Sequence, residues 1–109
     1  MLVLITGKGV EIDIALKAYI RRRIDFALSR FSTKIGHIHV VVSNKSGPFE
    51  GIEKLCRIRV QLPGDTTVAV SSLDEDFHVA ITHATHQIHS MVARRIEIGW
   101  TLAVRKRIN

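Results

Sequence analysis

The chain has 109 residues, 46% of them hydrophobic and 24% charged, the length of one domain and the composition of a globular chain rather than a disordered or fibrous one. Sixteen Lys and Arg against ten Asp and Glu leave a formal charge of +6. That excess favours a polyanionic partner such as RNA, DNA or an acidic membrane surface.

Residues 2–6 are short and rich in β-branched side chains, with Gly7 and Gly9 behind them, and read as a strand. Asp13 offers an N-cap, and Leu16, Tyr19, Ile20, Ile24, Ala27 and Phe31 recur at intervals of three and four. That spacing predicts a helix running to about Arg30. Residues 37–43 alternate, with Ile38, Val40 and Val42 on one face and His37, His39 and Val41 on the other. Residues 44–51 hold Asn, Ser, Gly and Pro and read as a loop. Residues 55–62 alternate again, placing Cys56, Ile58, Val60 and Leu62 on the inner face. Pro63-Gly64-Asp65 predicts a tight turn, and residues 66–71 an antiparallel return strand.

A second helix is predicted from Phe77, Ile81, Ala84, Ile88, Met91 and Val92, after the negative charge of Asp74, Glu75 and Asp76. Ser71 and Ser72 before Asp74 read as capping chemistry. The helix is expected to end near Arg95, with Gly99 as its stop and residues 97–109 as a basic tail. The sum is an α+β fold in the order β-α-β-β-β-α, two helices packed on one face of a four-stranded sheet. The other face of that sheet is expected to be polar and partly basic.

The sequence holds little that suggests catalysis. No glycine-rich phosphate loop, nucleophile elbow or activated-cysteine motif is present, so the expectation is a non-enzyme without a cofactor. The single cysteine, Cys56, excludes an intrachain disulfide and a cysteine-based zinc site, and on the inner face it reads as an inert thiol. The longest strictly apolar run, Met1 to Ile5, is too short for a membrane span or a signal-peptide core. A cytoplasmic location follows as the expectation. His83, His86 and His89 share an arc opposite the apolar stripe of helix 2, which predicts a solvated face more readily than a metal site. Imidazoles there would gain charge on acidification.

The basic residues cluster. Helix 1 carries Lys17, Arg21, Arg22, Arg23 and Arg30, with Tyr19 and Phe26 close to the arginines at the edge of the apolar face. Guanidinium forks bind phosphates, and an aromatic ring beside them can stack on an unpaired base. The alternative is that the Arg stems lie over the core edge with their heads in water. Arg94 and Arg95 end helix 2.

The order of elements, together with several motifs, resembles the ribosome hibernation-promoting factor / ribosome-associated inhibitor A (protein Y) family. The matching pieces are Ile5-Thr6-Gly7-Lys8-Gly9-Val10-Glu11-Ile12, Ala15-Leu16-Lys17, Leu62-Pro63-Gly64 and Glu75-Asp76-Phe77-His78-Val79-Ala80-Ile81. The resemblance covers roughly residues 1–96, leaving 97–109 outside. The resemblance implies a non-enzymatic translation inhibitor that binds rRNA of the small ribosomal subunit in the mRNA/tRNA channel under stress or in stationary phase. It places Lys8, Lys17, Arg23 and Arg94 at positions where the family is often basic. Arg21 and Arg22 add charge where it is less usual, and with Arg95 they complete the expected RNA-binding set. Gln87 and Ser90 stand where relatives usually carry Lys or Arg, and Phe26 stands in place of a common lysine. A protein-interaction module of the same fold with weak or no rRNA affinity is the alternative. A double-stranded RNA-binding domain would not start its second helix with Asp74-Glu75-Asp76, and an RRM would carry aromatics on its central strands.

Overall fold

The computed structural model describes residues 1–46 and 52–108. Strand β1 (Leu2–Lys8) is followed by helix α1 (Ile14–Leu28), β2 (His37–Ser46), β3 (Ile52–Leu62), β4 (Thr66–Asp74) and helix α2 (Phe77–Ile108). The strands form one sheet in the order β1-β2-β3-β4, with β1 parallel to β2 and the other pairs antiparallel. Only the β1–β2 pair is parallel because α1 is the crossover between them, whereas short turns can join only antiparallel neighbours.

Alternation places the sheet. Ile38, Val40 and Val42 of β2 face Cys56, Ile58 and Val60 of β3 on the helix-covered side, and all six are buried. From above, α1 contributes Ile20, Ile24 and Leu28, and α2 contributes Ile81, Ile88 and Val92, each fully buried. Asp13 caps α1 as the sequence predicts, its backbone extended and its Oδ1 accepting from the Leu16 N–H at 2.7 Å. The helix then tightens into a 3-10 segment, Ser29–Lys34, which carries Phe31 into the core. Tyr19 meets Thr82 while Ala27 meets His89, so α1 and α2 run in the same direction.

The glycines of the β1 end are structural. A Cβ on Gly7 would run into the carbonyl oxygen of Val10, and Gly9 has a φ of +72°. The chain needs both to turn back over β1 into α1. At the β3–β4 hairpin, Gly64 and Asp65 both adopt positive φ, as the predicted Pro63-Gly64-Asp65 turn requires.

Several expectations need correction. The strands are longer than their alternation implied: Asn44–Ser46 belongs to β2 and Leu73 and Asp74 to β4, while the rest of the expected loop, residues 47–51, lies outside the described residues. Ser71 and Ser72 are therefore strand residues. The cap of α2 is Asp76, whose Oδ1 accepts from the His78 N–H at 2.7 Å and whose carbonyl accepts from Ala80 N–H at 3.0 Å. Of the expected stripe, Ile81, Ala84, Ile88 and Val92 are buried but Met91 is exposed, and Ala80 and Thr85 join the buried face in addition. Gly99 does not stop α2, which continues to Ile108. An internal glycine costs a helix only about 1 kcal/mol relative to alanine, less than the helix-forming residues around it recover. The uncovered sheet face is more apolar than expected, with Leu2, Leu4 and Leu73 exposed beside Arg57 and Arg59.

Candidate nucleic-acid interface

The cations predicted to bind RNA are placed mainly by α1. Lys17, Arg21 and Arg22 are exposed on its outer surface, and among the described residues no carboxylate pairs with any of them. Asp25 is the one acidic residue within the helix. Their charge is therefore available to a phosphate, as an ion-paired guanidinium's would not be. Lys8 is exposed at the end of β1, and Arg94 and Arg95 are exposed well along α2. The parallel run of the helices sets Arg94 and Arg95 beyond the C-terminal end of α1, away from Lys17. The fold thus brings the α1 cations together and leaves those of α2 apart.

Arg23 differs from its neighbours. It is half-buried, its guanidinium carbon lies 5.6 Å from the centroid of the Phe26 ring, and its Nε is buried with no hydrogen-bond partner among the described residues. Arg30 packs in the same way over Phe31, at 4.7 Å. Contact with a ring makes these two arginines part of the helix edge as well as cations, Arg23 half-buried and Arg30 exposed.

The histidine arc divides. His83 and His86 are exposed, but His89 turns toward α1: Nδ1 lies 2.7 Å from the Ala27 carbonyl oxygen and the ring centroid 5.9 Å from that of Phe31. Position 89 lies on the flank of α2 that meets α1, which a single-helix projection cannot reveal. Among the described residues no group of three His, Cys, Asp or Glu side chains could hold a metal ion. His83, Gln87, Ser90 and Arg94 form the exposed ridge of α2, with one permanent cation among them. His37 and His39 lie on the uncovered sheet face, where His39 Nε2 is 3.0 Å from Thr6 Oγ1. Cys56 is sealed in the core, and burial pushes its thiol up to about 12.

The model of the sigma 54 modulation protein / S30EA ribosomal protein family matches residues 3–97. The chain belongs to this family. Its four-stranded sheet and two helices are thus the S30EA fold as this sequence builds it, and membership associates the chain with the ribosome and with modulation of translation. Solved structures resemble it, two of which illustrate the likeness. A ribosomal subunit interface protein from Coxiella burnetii superposes with a TM-score of 0.75 at 20% identity, over 89% of this chain and 99% of that one. The N-terminal domain of protein Y from Thermus thermophilus gives 0.70 at 25% identity, over 86% and 98%. No curated protein sequence matches. Among the described residues no helix is long and apolar enough to cross a membrane.

Proposed function

We propose that this S30EA-family chain binds rRNA of the small ribosomal subunit in the mRNA/tRNA channel and lowers translation under stress or in stationary phase, without catalysing a reaction. The observation that carries this reading is the outer surface of α1, where Lys17, Arg21 and Arg22 stand exposed with no carboxylate partner among the described residues. Contacts to phosphate supply most of the affinity for a nucleic acid, and they do so best from cations whose positions are set beforehand. Residues 1–96 carry the binding domain and residues 97–109 a basic accessory segment, in a protein that works in the cytoplasm.

Co-sedimentation with purified small subunits over a salt series tests it. Binding should fall linearly in log–log form as salt rises from about 50 to about 200 mM, and messenger RNA should compete. The exposed ridge of α2, with Gln87 and Ser90 among its residues, favours a second reading in which the fold serves a protein contact. Salt-insensitive association, or none, would support that reading against the first.

A further inference from the structure

Two aromatic rings lie among the arginines of α1, and the fold treats them differently. Tyr19 is engaged: its hydroxyl is 2.7 Å from Thr82 Oγ1, and its ring packs on His78 with centroids 4.6 Å apart. Phe26 is 81% exposed. At about 100° per residue it points well away from the buried row of Ile20 and Ile24, so nothing in the core draws it in. Phe31 is buried and Phe77 half-buried, so Phe26 is the one mostly exposed ring among the described Phe, Tyr and Trp side chains. None of the four strands contains Phe, Tyr or Trp among its described residues.

The surroundings of Phe26 are cationic. The guanidinium of Arg23 lies against its ring, and Arg23 Nε has no partner among the described residues. Arg22 precedes it by one turn, exposed and without a carboxylate partner among the described residues. An unpaired nucleobase needs a free π-face to stack on, and its flanking phosphate needs a cation nearby. We propose that Phe26 is a stacking platform for an unpaired base of the bound RNA, with Arg23 steadying the ring and Arg22 meeting the adjoining phosphate. This rests on the RNA-binding reading above and adds a specific contact to it. Stacking is tolerant of base identity, so the ligand is an extruded or single-stranded nucleotide rather than a particular sequence.

The test is a titration of small subunits at several salt concentrations with wild type, Phe26→Leu, Phe26→Trp, Phe26→Lys and Arg22→Gln. Phe26→Leu keeps apolar bulk but loses the π-face, and it should bind about 5- to 150-fold more weakly. Its log–log salt slope should equal that of wild type, because no phosphate contact is removed. Phe26→Trp should bind at least as tightly as wild type, and its added indole fluorescence should be quenched by the subunit. Arg22→Gln should flatten the slope by about 0.7–0.9. Thermal melts of the Phe26 variants should match wild type, since the side chain is outside the core.

Four results would overturn the platform. The first is Phe26→Leu binding as wild type does. The second is Leu retaining affinity while Lys loses it, which would mean an apolar contact with a ribosomal protein. In the third, Leu weakens binding and also flattens the slope, so that lost phosphate contacts explain the effect. The fourth is Trp binding as poorly as Leu. Salt-dependent binding by wild type alongside any of these leaves the wider RNA reading standing. Failure of wild type to bind small subunits removes both.

Discussion

His89 Nδ1 donates to the carbonyl oxygen of Ala27 across 2.7 Å, joining the body of α2 to the last turn of α1. A carbonyl can only accept, so the imidazole carries its proton on Nδ1 there. The acceptor is one of the terminal carbonyls that a helix's own hydrogen-bond pattern leaves over. His89→Ala should therefore destabilise the protein by about 1–2 kcal/mol, lowering Tm by about 4–8 °C per kcal/mol for a chain this size. His83→Ala and His86→Ala, both exposed, should stay within about 0.5 kcal/mol of wild type. Thermal unfolding of the three variants separates them, and equal effects would show that the contact adds nothing.

Charge on α1 should dominate the salt dependence of ribosome binding. Replacing Lys17, Arg21 and Arg22 together by Gln should flatten the log–log slope by about 2. The Arg94→Gln/Arg95→Gln pair should alter it less, because those cations stand apart from the α1 cluster. A triple variant with the wild-type slope would remove α1 from the phosphate contacts.

Cys56 gives a pH dependence with a definite sign. Its thiol sits at about 12 in the folded protein against an ordinary 9.0, because burial penalises the thiolate. Below pH 9 both states keep the proton and stability is unaffected by this group. Between about 9 and 12 the unfolded chain releases it and the folded chain does not, so stability falls as pH rises. The stability difference between wild type and Cys56→Ala should shrink across that window in urea titrations. At neutral pH iodoacetamide should leave folded Cys56 unmodified and alkylate it once denaturant is added.

The two glycines after β1 should fail for different reasons. Gly7→Ala forces a Cβ against the Val10 carbonyl oxygen and within 3.0 Å of Ile12 Cγ1, a crowding that costs about 1–3 kcal/mol. Gly9→Ala meets open space, but its φ of +72° is a left-handed conformation, which costs an alanine about 1–2 kcal/mol. Urea midpoints measure both. Substitutions without effect would show that the turn relaxes freely.

The sequence by itself determined the layers of this protein. Alternation at Ile38, Val40 and Val42 and at Cys56, Ile58 and Val60 assigned one face of each central strand to the core, and all six residues are buried there. The periodicity of Ile20 and Ile24, and of Ile81 and Ile88, did the same for the helices. These patterns are legible because the hydrophobic effect acts residue by residue and the period of each element is constant. Element ends were harder to read, since a strand continues as far as its neighbour offers hydrogen bonds and Gly99 alone is too weak to end α2. The tertiary structure alone decided what lies at the edges of the apolar stripes. Tyr19 and Phe26 both sit beside arginines in the sequence, yet α2 engages the first through Thr82 and His78 and leaves the second in solvent. His83 and His89 share an arc, yet only His89 meets α1. A helical projection gives the direction of a side chain but not which neighbour stands there, and it is the neighbour that decides whether a residue packs within the fold or is left for a ligand.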